Sequence, residues 1–141
     1  MGVTSHFAIA VHALTALAIS AGQTVTSEDI AESVNTNPSF IRRVLGDLRR
    51  AGLISSQVGN GGGLALIPSP TEITLLDIYT AVENESLFSL PLRPPNKNCP
   101  VGGHIQPVLT NYFSRAEAAT HHALQEMTLA DVVADIKSHH D

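Results

Sequence analysis

The sequence predicts a mainly α-helical protein with a small β-hairpin wing, in which a winged helix-turn-helix precedes a long C-terminal helix. Two observations support this fold class. The stretch Thr26–Leu66 contains, in order and with short connections, the signals of a short helix, a tight turn, a basic helix and a glycine-rich hairpin. Half of the eight Lys and Arg residues lie inside this stretch, although the chain carries a net charge of -5.

The N-terminal segment predicts a buried helix. Apolar residues between Phe7 and Ala21 cover more than half of its circumference, with Ser5 as the expected cap. A helix that is apolar on several sides packs against several neighbours. We expect these neighbours to include the helix-turn-helix and a second subunit. For His6 and His12 we expect packing or hydrogen bonding, because no cysteine or carboxylate has metal-ligand spacing to them.

Two helices of the predicted helix-turn-helix follow. Thr26 and Ser27 can each accept backbone N–H groups at a helix start. Residues 35–37 then interrupt the helix, and Asn37 would cap a second helix that tolerates Pro38 in its first turn. In this second helix, the recognition helix, apolar residues recur at three- and four-residue steps. They are Phe40, Ile41, Val44, Leu45 and Leu48, whereas Ser39, Arg42, Arg43, Asp47, Arg49 and Arg50 lie mostly off that stripe.

A hairpin is expected next. Gly52 suits a left-handed helix end, and apolar residues on both sides of the run 59–63 suit two short strands. The glycines of this run either allow close approach to a phosphate backbone, which defines a wing, or only close a turn.

The C-terminal half predicts three further helices. Thr71 or Thr74 would cap the first, and a turn-rich connector follows at 91–98. A long helix should begin near Val101 or Gly103 and end near Met127, and Thr128 should cap the last helix. Because the long helix has more apolar surface than a small module can cover, a partner is implied. We therefore expect a winged helix-turn-helix DNA-binding domain over 1–70, and a connector and helical dimerisation region over 71–141.

Composition and charge restrict the classes of protein that the sequence allows. The acidic balance argues against a nonspecific nucleic-acid coat but fits a regulator with its basic residues on one face. One cysteine excludes an internal disulfide framework. The apolar run at 7–21 is shorter than the ~20 residues of a membrane span and has no basic flank, so we expect neither a membrane segment nor an export signal. These features favour a cytoplasmic protein.

Three functions are compatible with this pattern. The first is sequence-specific binding of double-stranded DNA by a transcriptional regulator. The second is a winged helix used only for protein association, with a salt-bridged basic helix. The third is a thiol enzyme built on Cys99, but the sequence shows neither a positioned base nor a substrate pocket. We therefore expect no enzymatic activity.

Three segments resemble the Rrf2 family of bacterial winged-helix transcription regulators. They are NPSFIRRVLGDLRRAGLISSQVGNGGGLAL, TEITLLDIYTAVE and NCPVGGHI, beginning at residues 37, 71 and 98. The resemblance is nearest to YwnA-like members, which lack a complete cluster-binding set. It implies a homodimer whose long helices cross, with two winged helices presented to a near-palindromic operator. Repression is the expected mode of control.

The resemblance also implies roles for individual residues. Ser39, Arg42 and Arg43 occupy the positions that read the major groove in the family, although the two arginines could instead hold phosphate. Val58 and Leu64 replace an arginine and an aromatic residue of the family's wing. Backbone contacts to phosphate from the wing residues are therefore expected instead of minor-groove readout. The predicted DNA-binding set comprises Ser27, Asn37, Ser39, Arg42, Arg43, Arg49, Arg50, Asn60 and Gly61.

Cys99 is the main departure from the family pattern. Cluster-binding members have three closely spaced cysteines, whereas this chain has one, and iron-sulfur clusters generally take four protein ligands. We therefore expect no cofactor and no metal. Cys99 is either a redox thiol, whose pKa the following helix would lower, or a partly buried small apolar residue. The signal could be an oxidant or a small molecule. The histidine pairs 121–122 and 139–140 are expected to be solvated.

Overall fold

The computed structural model describes residues 4–57 and 62–140. This part of the chain contains six α-helices, one two-stranded antiparallel hairpin and a short 3₁₀ helix, Pro70–Glu72. The helices and strands are α1 (Thr4–Ile19), α2 (Ser27–Val34), α3 (Pro38–Arg50), β1 (Ile54–Ser56), β2 (Leu64–Leu66), α4 (Leu75–Val82), α5 (Ile105–Gln125) and α6 (Leu129–His140). The predicted fold class is confirmed.

Capping side chains fix where the helices begin. The Oγ1 atom of Thr26 accepts a hydrogen bond from the backbone N–H of Asp29, whose carboxylate accepts the N–H of Thr26 in return. This reciprocal pair satisfies two of the unpaired N–H groups at the start of α2. Asn37 Oδ1 accepts the Ser39 N–H at 2.7 Å, as expected for the cap of α3. Of the two threonines proposed to cap α4, Thr74 does so.

Left-handed residues end the two helices of the helix-turn-helix. Asn35 has a φ of 64° after α2, and Gly52 has a φ of 79° after α3. The N–H of Gly52 donates to the carbonyl of Arg49, and the next N–H donates to the carbonyl of Leu48. Such a glycine ends a helix without the steric cost that a Cβ atom would add, and the chain can turn directly into β1.

The hairpin is fixed to the helices by its second strand. Ile54 pairs with Leu66 in the antiparallel register, and the N–H of Leu64 donates to the carbonyl of Val25 at 2.8 Å. A Cβ atom on Gly63 would lie 2.9 Å from that same carbonyl oxygen. Gly63 therefore serves the close packing of the hairpin against the chain before α2. The residues 58–61 at the tip, with the predicted contacts of Asn60 and Gly61, lie outside the described residues.

A single apolar core surrounds α1. This helix packs against α2, α3, α4 and α6. The fully buried side chains include Leu14, Ile30, Ile41, Leu45, Leu48, Ile54, Ile73, Ile78 and Leu129. Burial of each such Leu or Ile side chain contributes about 1.5–3 kcal/mol to folding.

The details of α1 differ from the sequence expectation. The helix begins at Thr4, so Ser5 lies inside it and does not cap it. The two histidines are packing and hydrogen-bonding residues, as expected. The ring of His6 lies edge-on to Phe40, with 4.9 Å between ring centroids, and His12 Nε2 is 2.8 Å from Ser33 Oγ. Among the described residues, no helix is long and apolar enough to span a membrane.

The last helix returns to the first part of the chain. The N–H of Leu75 donates to the carbonyl of Met127, and the N–H of Leu129 donates to the carbonyl of Ile73, both at 2.8 Å. This bridge places the start of α6 beside the start of α4. The chain up to Asn84 and from Leu124 onward consequently forms one compact unit. The domain boundary at residue 70 stays a prediction.

The second compact unit comprises Glu85–Ala123 and contains most of α5. Within it, the rings of Phe88 and Phe113 stack at 5.2 Å, and the Leu87 N–H donates to the carboxylate of Glu117. The long helix is therefore present, but it begins at Ile105, later than expected from the sequence.

Candidate nucleic-acid interface

The arginines of α3 form two exposed rows. Ile41, Val44, Leu45 and Leu48 bury one side of the helix, and the arginines lie outside that side. Arg42 and Arg49 are seven residues apart, which is about two turns, and so share one row. Arg43 and Arg50 form the second row in the same way. Four cations thus lie along one exposed surface of a single helix.

A cleft lies beside the first row. It has a volume of about 360 Å³ and separates the start of α2, the helix α3 and the base of the hairpin. Its lining includes the predicted residues Ser27, Arg42 and Arg49. It also includes Thr26, Glu28, Ser56, Gln57 and Gly62, which were not expected from the sequence as binding residues. The Glu28 carboxylate places one negative charge beside the two arginines of this cleft.

Two of these lining residues could have been predicted from their position in the sequence. Ser56 and Gln57 lie just before the glycine run, with only Val58 between, so a hairpin that folds back on α3 must place them near its basic side. Gln57 is exposed, and its backbone N–H donates to the carbonyl of Gly63 at 3.0 Å. Its side-chain amide carries two donors that can reach phosphate oxygens.

The start of α3 is ordered by polar side chains. Arg42 Nη2 donates to Ser39 Oγ at 3.2 Å, and both side chains are exposed. The side-chain oxygen of Asn37 is engaged in capping, because Oδ1 accepts the N–H of Ser39. The amide N–H₂ of Asn37 is the part of that side chain suited to contact an anion.

The end of α3 is less cationic than the sequence count implies. Arg50 forms an ion pair with Asp47 one turn earlier, and its side chain is 74% exposed. Exposed ion pairs of this kind contribute ~0–1 kcal/mol to stability. The Asp47 carboxylate nevertheless offsets one positive charge. Within residues 4–57 and 62–140, Arg43 and Arg49 form no such pair and present their full charge.

Cys99 lies in a turn before α5, within the second compact unit. The thiol is exposed, which overturns the alternative of a partly buried apolar residue. Backbone N–H groups of Gly102 and Val101 hold the pKa of the Cys99 thiol below its ordinary value. The lowered pKa of the thiol agrees with the expectation, but its physical cause differs. Because α5 begins six residues later, the nearby turn amides stabilise the thiolate, and not the end of the helix.

The geometry defines the class of protein. A helix-turn-helix whose second helix exposes arginines, followed by a hairpin that borders the same cleft, is the arrangement of a winged helix that binds DNA. The profile of the Rrf2 family, described as an iron-dependent transcriptional regulator, matches residues 3–135. The chain belongs to the Rrf2 family.

Individual relatives agree with this assignment. YwnA of Bacillus subtilis, which is named as an HTH-type transcriptional regulator, is 38% identical over 132 residues, covering 93% of this chain and 96% of YwnA. A structure from Lactobacillus plantarum named as a transcriptional regulator superposes with a TM-score of 0.79 at 27% identity, covering 95% of this chain and 91% of that one. Staphylococcus aureus CymR in its oxidized form superposes with a TM-score of 0.68 at 27% identity, covering 94% and 96%.

The iron in the family description does not fit the residues of this chain. A single cysteine is present, and His104 Nδ1 lies 3.0 Å from the carbonyl oxygen of Pro100. In the part of the chain that the structure describes, no group of three His, Cys, Asp or Glu side chains could hold a metal ion. A protein iron-sulfur site generally needs four ligands, so we derive no function through a cluster.

Proposed function

We propose that the protein is a cytoplasmic, non-enzymatic transcriptional repressor that binds a near-palindromic operator as a homodimer. The two exposed arginine rows of α3, of which Arg42 and Arg49 border the cleft at the hairpin, are the observation that carries this proposal. The whole chain carries a net charge of -5, which repels DNA and disfavours nonspecific binding. The local cluster of arginines on α3 is therefore more informative.

The two rows suit different parts of a duplex. Arg42 and Arg49 line the cleft at the start of α2, where phosphates could approach both guanidinium groups and the hairpin backbone. Arg43 and Ser39 lie on the side of α3 opposite its buried residues, where a helix inserted into the major groove meets base edges. Arg42 donates to Ser39 at the start of α3, so its side chain is also within reach of the major groove.

An exposed apolar row on α5 supports the homodimer. Val108 is 49% exposed and Tyr112 is 58% exposed. Continuing from them at three- and four-residue steps are the exposed alanines Ala116, Ala119 and Ala123. Such spacing forms one helix face, and small side chains on it allow a second helix to approach closely. A second copy of the same helix would bury this row.

We further propose that Cys99 responds to oxidants. The exposed thiol with a lowered pKa supports this, as does the existence of an oxidized form of Staphylococcus aureus CymR. The thiolate sulfur would attack one oxygen of hydrogen peroxide and break the O–O bond, giving Cys99 sulfenic acid and hydroxide. The sulfur is oxidised by two electrons and the peroxide is reduced by two.

The proposal is tested by measuring binding of a selected duplex and of a scrambled duplex at 50–200 mM salt. We expect tight binding of the selected duplex and a loss of roughly 10³–10⁵ in affinity over this range if six to ten phosphates are contacted. Weak binding of both duplexes, with little dependence on salt, would instead support a winged helix used only for protein association.

A further inference from the structure

The second arginine row of α3 contains one position without a side chain. Steps of four, three and four residues place four positions on the same face of the helix, namely Ser39, Arg43, Gly46 and Arg50. This face lies opposite the buried side of α3, and Gly46 is about one turn from each arginine. Gly46 therefore lies near the centre of the surface that faces DNA in the proposed function.

Helix formation does not require a glycine at this position. Glycine destabilises the interior of a helix relative to alanine, because it loses more backbone freedom on folding. Among the described residues, the glycines with a positive φ are Gly22 and Gly52, so Gly46 has a helical backbone that alanine would also adopt. The glycine therefore weakens α3 locally.

Packing inside the protein does not require the glycine either. A Cβ atom on Gly46 would lie 3.5 Å from Nη1 of Arg50, which is an ordinary van der Waals distance, and its next neighbours belong to the same guanidinium group. That group ends a flexible side chain that is 74% exposed. Gly63 differs, because a Cβ atom there would lie 2.9 Å from the backbone oxygen of Val25. Within the described chain, no neighbour explains why residue 46 has no side chain.

We propose that the sugar-phosphate backbone of bound DNA passes over Gly46 so closely that a Cβ atom would not fit between them. This inference rests on the proposed function and assigns a contact within it. A position without a side chain suits the close approach of a helix backbone to a ligand. Phosphate is the expected neighbour because Arg43 and Arg50 place a guanidinium group on each side of Gly46, and such groups bind phosphate through charge-assisted hydrogen bonds.

The ion pair of Arg50 with Asp47 is compatible with this contact. A guanidinium group has five N–H donors, of which a carboxylate occupies at most two in a bidentate pair. The remaining donors of Arg50 can bond to a phosphate oxygen. In the free protein the pair also holds the guanidinium group beside Gly46, which places a cation where the phosphate would arrive.

The test combines stability and DNA binding of the full-length protein. Gly46→Ala should raise the midpoint of urea unfolding, because alanine is the better helix former. The same variant should weaken binding of both the selected and the scrambled duplex by about tenfold, because the added methyl group overpacks the contact. Gly46→Leu, with a longer side chain, should weaken binding further. Thr80→Ala, at an exposed position of α4, should leave both affinities unchanged. Fluorescence anisotropy at one salt concentration measures the affinities.

Four results would overturn the proposal. If wild type binds tightly and Gly46→Ala binds equally well, the glycine only makes room for the Arg50 side chain. A lower urea midpoint for Gly46→Ala would show that the fold itself requires the glycine. A loss confined to the selected duplex would contradict the phosphate contact, since phosphates are common to both duplexes. Failure of wild type to bind either duplex would overturn the proposed function together with this inference, whereas the first three results leave the proposed function intact.

Discussion

Arg42 and Ser39 are joined by a hydrogen bond of 3.2 Å, from Nη2 to Oγ, across the first turn of α3. The bond directs an otherwise flexible guanidinium toward the start of the helix, where a helix inserted into the major groove makes its base contacts. A side chain held in this way loses less conformational entropy on binding. Substitution of either residue is therefore a direct test of the proposed contact with DNA bases.

Arg42→Ala should weaken binding to a selected operator by about 1–3 kcal/mol if this residue reads a base. Binding to a scrambled duplex should change much less. Fluorescence anisotropy on both duplexes at one salt concentration measures the difference. The same experiment on Arg43→Ala separates the two rows of α3.

Arg93→Ala is the matched control for both variants. Arg93 is exposed in the connector and has the same charge, but it is not on α3. It should leave operator binding unchanged. Equal losses for Arg42→Ala on the selected and scrambled duplexes would show that Arg42 only contacts phosphate.

Thr26→Ala should lower the free energy of unfolding by ~1 kcal/mol, because the N–H of Asp29 would lose its acceptor at the start of α2. Urea denaturation at one fixed protein concentration measures this, since the stability of a dimer depends on concentration. Thr80→Ala, at an exposed position of α4, should change it by less than about 0.5 kcal/mol. Equal effects of the two substitutions would mean that the cap contributes nothing.

Ala119→Glu should shift the protein from dimer to monomer at micromolar concentration. The substitution places a carboxylate in the exposed apolar row of α5, and in a dimer that charge would be desolvated. Ala118→Glu adds the same side chain at an exposed position outside that row and should remain dimeric. Sedimentation velocity distinguishes the two. A dimeric Ala119→Glu would place the interface elsewhere.

Cys99 in the folded protein should be alkylated by iodoacetamide at lower pH than in the urea-unfolded chain. The turn amides stabilise the thiolate, so the folded pKa is depressed and the midpoint of the rate against pH moves down. Gly102→Ala should move that midpoint back toward the unfolded curve. Its Cβ atom would lie 2.1 Å from the carbonyl oxygen of Asn96, so the turn that provides the amides must change. Identical curves for folded and unfolded wild type would contradict this.

Local signals made the helix-turn-helix predictable. Asn37, Pro38 and Gly52 set the ends of α3 through side-chain capping and backbone preference, which act within a few residues. The spacing of its apolar residues likewise gave the buried side. The DNA-binding roles assigned to residues on this helix remain predictions.

Long-range contacts were not predictable in the same way. Nothing local to Leu129 indicates that its N–H will bond to the carbonyl of Ile73, or that its side chain will be fully buried in the core. The packing of α6 on α1 depends on that return of the chain. Gly63 also looked like a turn residue, although its role is to let the hairpin approach Val25.

Selection of bound duplexes from a random library tests the central claim most directly. The account predicts an enriched inverted repeat with half-sites about 34–36 Å apart or a multiple of that distance. A parallel selection after peroxide treatment should lose the repeat, and Cys99→Ser should retain it. Folded, dimeric protein that enriches no sequence in either selection would contradict the account.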